Sequence, residues 1–381
     1  MAGWRLEFLA TAPPDDPTSG LSRVVWELAI ALSGRGHTAR VLFPGPGTAP
    51  SAYRGVAAVP VPEGPASRRP FGRDIAIGRN ASRLLDPRSD VVVGNDEKAG
   101  ALATPARRHG RPVFVMMVHD VGLHAFDTLR PLEPDRGWRQ RLGNWLDRRA
   151  LRKLESTALR RASVVLVGSE LNRRLLEEHY RLRGPRVEIL PYGVPDPVDV
   201  GPRDDARRTL KVPLDVPVVS FIGRNPERQG LPIALEAFRR VRTFFPGARF
   251  LVAGASVPAE PGVMPLGTVD ETTKARVLRA SDVFLFPTHY EGFGLAPREA
   301  MRYGVATIVS RSVPLDGADP KRTTRVVATD EAGDYASELA ELLADPPMRR
   351  AIGEAGRAYA DGFSYARMAE RFERIVAPWL S

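Results

Sequence analysis

The chain has 381 residues, 43% of them hydrophobic and 26% charged, which is the balance of a soluble globular protein with about two domains. Its formal net charge is +10, and cysteine is absent, which excludes a disulfide scaffold, a thiol nucleophile and a thiolate metal site. No apolar run approaches the ~20 residues of a membrane-spanning helix, and the amino terminus leads into a strand rather than a signal peptide, so we expect a soluble, cytoplasmic protein.

The first half of the chain alternates short apolar runs with longer amphipathic stretches, which is typical of βα units around a parallel sheet. Apolar side chains at a spacing near 3.6 predict a helix over 20–33, which ends at Gly34 and Gly36. Strands are predicted at 5–9, 39–43, 90–93, 113–118, 164–167 and 187–190.

A proline-rich polar stretch at 195–203 indicates a linker, and the βα pattern then begins again. The second half predicts a helix at 232–241, a helical tail from 330 onward, and strands at 216–222, 250–253, 283–286 and 306–309. We therefore expect an α/β fold with two Rossmann-like domains that face each other across a cleft. The expected boundaries are a first domain at 1–195, a linker at 196–210, a second domain at 211–365, and a C-terminal helix at 366–381 that can return to the first domain.

The most informative stretch is 281–301, where a strand runs into a glycine-containing loop and a helix begins near Ala296. The glycines let the backbone lie close against a ligand, and the N–H groups at the start of a helix form a ready anion site. Two carboxylates flank this loop, Glu291 within it and Glu299 in the first helical turn. Because carboxylates accept hydrogen bonds from hydroxyl groups, the stretch suits a phosphorylated sugar. The alternative is an ordinary glycine turn with Glu299 as a helix N-terminal charge.

Glu291 and Glu299, with seven residues between them in EGFGLAPREAM, resemble the signature of retaining glycosyltransferase family four, whose members have the GT-B fold. In the second half, FIGRNPERQG, LEAF, LGTV and ASDV also match the family's pattern, and the last two resemble its segment beside the nucleotide base. The first half matches it in order and rough spacing through HD, VGSE and ILPYGV. The likeness therefore spans nearly the whole chain.

The resemblance implies that the second domain binds a nucleotide diphosphate sugar. Arg224 would contact the diphosphate, Glu299 would accept hydrogen bonds from the ribose hydroxyls, and Glu291 would lie at the transferred sugar as a catalytic residue. The donor-binding set implied in this way consists of Gly223, Arg224, Arg228, Gln229, Val269, Gly292, Phe293, Gly294, Leu295 and Glu299.

One position departs from the family pattern, because Gln229 stands where the family usually has a lysine. The change removes a positive charge from the expected diphosphate site. The neighbouring Arg228 can replace that charge if its side chain points towards the donor, and cannot if it points away. A catalytically weakened homologue therefore stays open as an alternative.

On the acceptor side, the resemblance implies that His119 contacts the sugar as a third catalytic residue beside Glu291 and Arg224, with Asp120 directly after it. The loop after the first strand would let the acceptor approach at Ser19 and Gly20, where the family often has paired glycines. Thr18 or Ser19 is expected to cap the following helix.

The resemblance further implies retention of the anomeric configuration, by same-face attack in which the departing phosphate takes the acceptor's proton. Glu291 as a covalent nucleophile is the less favoured variant, since retaining glycosidases need two carboxyls about 5–5.5 Å apart. We predict no metal and no cofactor besides the donor, a UDP- or GDP-linked hexose. The acceptor is expected to be a hydroxyl of a saccharide, a lipid or a natural product, in bacterial carbohydrate biosynthesis.

Other function classes fit the sequence less well. A GT-B nucleotide-sugar epimerase would consume the donor without an acceptor, whereas a phosphorylase would need a pyridoxal lysine, and no lysine here lies in a fitting motif. The net charge of +10 makes nucleic-acid binding a further alternative. The arginines are dispersed and no known nucleic-acid-binding motif is present, so we expect no nucleic-acid partner.

The stretch 135–161 is strongly basic and contains Trp138 and Trp145. Basic amphipathic helices with tryptophan lie on anionic membranes, which makes peripheral contact with the inner face of a membrane one interpretation. The other is a solvated helix face whose Leu and Trp side chains pack inward.

Overall fold

The computed structural model describes residues 3–16, 19–46, 51–63, 71–106, 112–132, 137–182, 186–258 and 260–380. They form two compact units, one comprising Met1–Gly193 with Tyr365–Ser381 and the other Val194–Ser364. Across the described ranges, no helix is both long enough and apolar enough to cross a bilayer.

In the first unit, the described strands are β1 (Arg5–Leu9), β2 (Thr38–Pro44), β3 (Ser51–Tyr53), β4 (Val56–Val61), β5 (Val91–Asn95), β6 (Val113–Val118), β7 (Val164–Val167) and β8 (Val187–Ile189). They form one sheet in the order β3-β4-β2-β1-β5-β6-β7-β8. All neighbours pair in parallel except β3 and β4. Every residue of β6 is buried, as expected for a strand covered by helices on both faces.

The helices of this unit that precede β8 are α1 (Gly20–Ser33), α2 (Gly72–Leu84), α3 (Asp96–Ala106), α4 (Gly122–Leu129), α5 (Trp138–Arg161) and α6 (Glu170–Tyr180). The order of the strands reverses between β1 and β5, since β2 follows β1 on one side and β5 lies on the other. The carboxyl ends of β1 and β5 are therefore the expected ligand-binding position of this sheet.

The β3–β4 hairpin is one feature that the sequence pattern does not predict. Its two central residues, Arg54 and Gly55, have φ of 46° and 83°. Positive φ at both positions matches the twist of a two-residue hairpin. The antiparallel β3 is therefore the outermost strand on this side of the sheet.

In the second unit, the described strands are β9 (Val218–Ile222), β10 (Arg249–Ala253), β11 (Val263–Gly267), β12 (Val283–Phe286), β13 (Ala306–Ser310) and β14 (Arg325–Val327). They form a parallel sheet in the order β11-β10-β9-β12-β13-β14. The accompanying helices are α7 (Arg203–Thr209), α8 (Leu231–Arg242), α9 (Glu271–Ala280), α10 (Leu295–Arg302), α11 (Ala332–Ala344) and α12 (Pro346–Ala360). Here the strand order reverses between β9 and β12.

The chain between the two sheets is more ordered than a linker at 196–210 implies, because α7 lies within it and belongs to the second unit. Asp282, at the amino end of β12, accepts hydrogen bonds from Arg203 (2.6 Å) and Arg207 (2.9 Å) of α7 and from the Val218 N–H (2.8 Å). This buried carboxylate therefore fastens α7 to the sheet.

The last helix, α13 (Tyr365–Val376), belongs to the first unit, where it packs on α1.

Candidate active site

The carboxyl edge of the second sheet brings together most of the predicted donor-binding residues. Gly223 and Arg224 follow β9, the loop 287–294 follows β12, and these two strands are neighbours. Val269 lies in the segment after β11, and Glu299 lies on α10, which follows the loop 287–294. Parallel strands end at the same edge, and the strand order reverses here, so this is the position where an open α/β sheet binds a ligand.

The start of α10 is fixed by Gly294, which caps the helix in the left-handed conformation with φ 77° and ψ 61°. A Cβ at this position would lie 2.6 Å from Cγ1 of Val313, so both the dihedral and the space require glycine. The helix begins at Leu295, one residue before the predicted Ala296. Glu299 therefore opens the second turn, which corrects its predicted place in the first.

Arg298 is a buried arginine that holds this loop, and sequence reasoning missed it. Its guanidinium is 1% exposed and stacks on the ring of Phe293, with 3.9 Å between Cζ and the ring centroid. Nη1 donates to the carbonyl oxygens of Phe293 and Gly294, and Nη2 donates to that of Pro314 (2.8 Å). Burial lowers the pKa of this group.

The bonds from Arg298 also determine where the loop's N–H groups point. In a planar trans peptide, the carbonyl and the N–H point in opposite directions. Since the carbonyls of Phe293 and Gly294 turn towards Arg298, the N–H groups of Gly294 and Leu295 turn away from it. These N–H groups lie at the positive end of the α10 dipole, which is the arrangement that binds phosphate oxygens.

Glu299 is positioned by an ion pair with Lys274, another residue that sequence reasoning missed. Lys274 on α9 reaches a carboxylate oxygen of Glu299 at 2.7 Å and one of Glu271 at 2.9 Å. The Lys274 and Glu299 side chains are only 14% and 12% exposed. Asp270 caps α9 by accepting the Thr273 N–H at 2.7 Å, which sets the start of the helix that carries the lysine.

Glu291 lies half-buried in the loop after β12, next to the buried Tyr290. Thr288 supports this turn, since its Oγ1 lies 3.1 Å from the carbonyl oxygen of Tyr290, and Ser310 Oγ donates to the Thr288 carbonyl oxygen. Among the described residues, His, Asp and Glu side chains do not group in threes as a metal site requires.

Gln229 stabilises the loop after β9 by two hydrogen bonds to the backbone of Asn225 in the same loop. The side-chain oxygen of Gln229 accepts the Asn225 N–H at 3.0 Å, and the backbone N–H of Gln229 donates to the Asn225 carbonyl at 2.9 Å. In the position where the family usually has a lysine, this chain therefore has a neutral residue that shapes its own loop.

Arg228 joins this loop to the one after β12. Its Nε donates to the carbonyl oxygen of Tyr290 at 3.1 Å, and its Cζ lies 5.4 Å from the centroid of the Tyr290 ring. Its carbonyl oxygen accepts the His289 N–H (2.9 Å) and the Thr288 hydroxyl (3.1 Å). The side chain therefore points towards the loop that carries Glu291, and the backbone bonds fasten the two loops together.

Two further predicted donor residues lie at the same edge. Arg224 is exposed directly after Gly223, with its Cγ beside Gly254 at the end of β10. Val269 is half-buried immediately before the α9 cap. In contrast, the ASDV segment at 280–283 enters β12 at its amino end, so Asp282 lies at the opposite edge and does not adjoin the base as the resemblance implied.

In the first unit, His119 follows β6 and is 1% exposed. Its Nε2 lies 3.1 Å from Asn95 Oδ1, and its Nδ1 lies 3.0 Å from the Tyr192 hydroxyl. Asn95 uses its Nδ2 to donate to the Leu9 carbonyl, so its Oδ1 is the acceptor and His119 Nε2 carries the proton. Burial lowers the pKa of His119 to about 4, which keeps the imidazole neutral near pH 7.

This environment gives His119 a structural role, and its contact with the sugar stays a prediction. Both ring nitrogens are bonded within the protein, and the residue is only 1% exposed. The backbone N–H of His119 donates to Asp96 Oδ1 (2.9 Å), and its backbone carbonyl oxygen accepts from Asn172 Nδ2 (2.9 Å). His119 therefore holds the ends of β5 and β6 together. Polar residues at the end of an apolar strand, Asn95 and Asp96, were the available sequence signal for this network.

The remaining acceptor-side residues lie near the same edge of the first sheet. Asp120 is half-buried directly after His119. Ser19 is the N-cap of α1, where its Oγ accepts the Ser22 N–H at 3.2 Å, and Gly20 is the first helical residue. Thr18, the alternative cap, lies outside the described residues.

Family models match the chain in two consecutive parts. The model described as Glycosyltransferase Family 4 matches residues 18–196, and the model described as Glycosyl transferases group 1 matches residues 202–359. D-inositol 3-phosphate glycosyltransferase of Segniliparus rotundus is 32% identical over 51% of this chain and 47% of its own length. Alpha-maltose-1-phosphate synthase of Mycolicibacterium smegmatis is 28% identical over 77% of this chain and 83% of its own. The chain thus spans about half the length of several of the inositol phosphate enzymes that it matches.

Solved structures share the fold along the whole chain. Sucrose-phosphate synthase from Thermosynechococcus elongatus has a TM-score of 0.80 at 20% identity and covers 99% of both chains. HepE of Anabaena, solved in complex with UDP-glucose, has a TM-score of 0.74 at 16% identity and covers 98% of this chain and 100% of its own. The two family models, matched in order along nearly the whole chain, and the shared architecture show that the protein belongs to glycosyltransferase family four and has the GT-B fold.

Proposed function

We propose that the protein transfers a hexose from a nucleotide diphosphate sugar to an acceptor hydroxyl, with retention of the anomeric configuration. The observation that carries this proposal is the start of α10, where a glycine cap, outward N–H groups and the carboxylate of Glu299 lie within two helical turns. Such a site offers donors to a diphosphate and an acceptor to sugar hydroxyls. Relatives named as glycosyltransferases support the same activity.

In this proposal, the second unit binds the donor. The N–H groups of Gly292 to Leu295 contact phosphate and sugar oxygens, and Glu299 accepts hydrogen bonds from the ribose. Arg224, exposed at the end of β9, neutralises the diphosphate with its planar guanidinium. Arg228 holds the loop of Glu291 in place, while Gln229 contributes no charge.

The reaction breaks the bond between the anomeric carbon and the diphosphate oxygen. The acceptor oxygen bonds to the same face of that carbon, and its proton passes to the departing phosphate. Charge therefore develops on the leaving diphosphate and on the sugar, where Arg224 and Glu291 respectively stabilise it. Since the leaving group itself takes the acceptor's proton, no separate general base is required. The first unit supplies the acceptor surface around Asp120, Ser19 and Gly20.

We expect a UDP- or GDP-linked hexose as donor. Because HepE of Anabaena was solved in complex with UDP-glucose, that nucleotide sugar is the first one to test. The acceptor is a hydroxyl of a saccharide, a lipid or a natural product. The names of two relatives, D-inositol 3-phosphate glycosyltransferase and alpha-maltose-1-phosphate synthase, make phosphorylated polyols and sugars sensible first acceptors.

Calorimetry with UDP, GDP, ADP and TDP tests the donor site, and thermal shifts with the matching sugars identify the hexose. A ligand at 100 times its dissociation constant stabilises the fold by about 2.7 kcal/mol. NMR of the product then reports the anomeric configuration. Heat from none of the four diphosphates would refute the donor site, and an inverted product would refute retention.

A second candidate is a catalytically weakened nucleotide-sugar-binding homologue, which the neutral Gln229 in its own loop favours. It predicts donor binding by calorimetry with no transfer to any acceptor. A nucleotide-sugar epimerase predicts an altered donor in reactions that contain no acceptor, so one product assay with and without acceptor separates the three functions.

A further inference from the structure

The amino-terminal half of α5 exposes large apolar side chains. Trp138, Leu142, Trp145 and Leu146 are 68%, 50%, 53% and 47% exposed. Their spacing of four, three and one residues places them on one face of the helix, which we call the α5 stripe. The Trp side chains therefore do not pack inward, as one of the two interpretations of the sequence required.

The α5 stripe lies beyond the edge of its own sheet. Glu155 on α5 accepts the N–H of Gly122, just past the carboxyl end of β6, at 2.8 Å. From Glu155 to Trp138 the helix continues for about 25 Å at 1.5 Å per residue. Within that length, α4 lies along one side, where Arg148 bonds to Asp127 at 2.7 Å. The stripe thus projects past the same edge on which Asp120 lies.

Cations surround the α5 stripe. Five exposed cations share its side of the helix: Arg139, Arg141, Arg149, Arg152 and Lys153. Two of them stack on its tryptophans, with Arg139 Cζ 5.5 Å from the Trp138 ring centroid and Arg149 Cζ 4.9 Å from that of Trp145.

The two carboxylates of α5 lie away from the stripe. Asp147 pairs with Arg130 at 3.6 Å, and Glu155 is buried against Gly122 and Tyr180. Among the described residues of α5, the face that carries the stripe therefore combines apolar side chains with arginine and lysine and includes no carboxylate.

We propose that the α5 stripe docks on the surface of a bilayer that contains anionic lipids. Indole rings settle at the boundary between headgroups and acyl chains, and arginines beside them reach the lipid phosphates. A second copy of the chain fits this surface poorly, because a symmetric contact would bring like charges together. Docking in this way places the carboxyl edge of the first sheet beside the lipid headgroups, and it does not depend on the identity of the donor.

Flotation of the full chain with vesicles tests the proposal. We expect binding to vesicles of phosphatidylcholine with phosphatidylglycerol, weak binding to phosphatidylcholine alone, and release by added salt. Replacing Trp138 and Trp145 together by serine should weaken the partition at least about tenfold. Arg141→Gln with Arg149→Gln should weaken it about fivefold for each charge removed.

Matched controls change equivalent residues elsewhere in the same unit. Trp379→Ser removes a tryptophan that is 40% exposed, and Arg79→Gln with Arg83→Gln removes two exposed arginines of α2. These variants should bind the anionic vesicles as the wild type does, and circular dichroism should show every variant folded. The proposal is overturned by equal binding to both vesicle types, by stripe variants that bind normally, or by a dimer in sedimentation velocity that the tryptophan variant abolishes.

Discussion

Lys274 Nζ lies 2.7 Å from a carboxylate oxygen of Glu299, so a helix that follows β11 orients the acid of a helix that follows β12. The pair is mostly buried, and an ion pair in such surroundings is costly to break, because the remaining charge loses its partner. The orientation of Glu299 is thus a property of two helices rather than of its own motif.

Replacing Glu299 by alanine should weaken the binding of the whole nucleoside diphosphate but leave the binding of inorganic pyrophosphate unchanged. The reason is that a ribose contact is lost while the N–H groups of the loop remain. Calorimetry with both ligands measures the difference. Lys274→Met should reproduce part of the effect, with a loss of stability of about 1–3 kcal/mol. Equal losses for both ligands would contradict the ribose role.

Arg224→Ala should reduce turnover at saturating donor by at least about tenfold, because stabilisation of the leaving diphosphate is removed. Initial rates of sugar transfer measure this. Arg208→Ala is a matched control, since Arg208 is an exposed arginine of the same unit whose partner is Asp205. A normal rate in the Arg224 variant would show that this guanidinium does not contact the donor.

Gln229→Lys should tighten diphosphate binding by restoring a cation, while the loop loses the bond from the Asn225 N–H to Gln229 Oε1. Gln229→Met removes that bond without adding charge and serves as the control. Titration of UDP and GDP against both variants separates charge from loop shape. If methionine and lysine have the same effect, the loop bond rather than the missing charge explains the departure from the family.

The buried His119 predicts a specific loss of stability in acid. Its pKa is about 4 in the folded chain and about 6.5 when unfolded, so between these values the unfolded state binds the extra proton. Stability should therefore fall as the pH drops from about 6.5 to 4, by about 1.4 kcal/mol per unit from this group. Urea unfolding at several pH values across that range measures this, and the free energy of unfolding should depend less steeply on pH in His119→Gln than in the wild type. An unchanged slope would mean that the ring is accessible to protons in the folded chain.

The same network gives a test of the positioning role. Tyr192→Phe removes the hydroxyl that donates to His119 Nδ1 and should cost about 1 kcal/mol of stability. Tyr192 and His119 belong to the first unit, and Asp120 of the proposed acceptor surface directly follows His119. Sugar transfer should therefore slow, while the affinity for the nucleotide stays constant because the donor site is unchanged. Loss of nucleotide affinity in Tyr192→Phe would contradict this assignment.

Arg298→Met should destabilise the fold by about 1–3 kcal/mol for each buried carbonyl that it leaves without a donor. Arg298→Lys should not restore stability. Lysine has a single terminal nitrogen, whereas the planar guanidinium uses two nitrogens to donate to the carbonyl oxygens of Phe293 and Pro314. Thermal unfolding and nucleotide titration measure both effects. A stable lysine variant with normal affinity would show that the loop holds its shape without the guanidinium.

Long buried runs were predictable from the sequence, because apolar patterns identify strands at 113–118 and 283–286 with the bounds seen in the structure. The family motif likewise located Glu291, Glu299 and Arg224 at the carboxyl edge of one sheet. Strands β3, β4, β11 and β14 were not predicted. β3 and β14 have only three residues each, and β4 and β11 contain Pro60 and Pro265, which argue against a strand.

Contacts between distant parts of the chain were not predictable. Nothing in the local pattern pairs Lys274 with Glu299, and arginine is ordinarily assigned to the surface, so no sequence signal indicates that Arg298 is buried. The hydrogen bonds of His119 were not predictable for a related reason. Its position at the end of a strand does not reveal its partners, Asn95 and Tyr192, which lie 24 and 73 residues away in the chain.

The bonds from His289 and Thr288 to the Arg228 carbonyl have a thermodynamic consequence. Two loops that are already tied together lose little conformational freedom when a ligand arrives. Nucleotide association should therefore carry a small entropic penalty, and temperature factors or exchange rates of these loops should change little between the empty and the occupied protein.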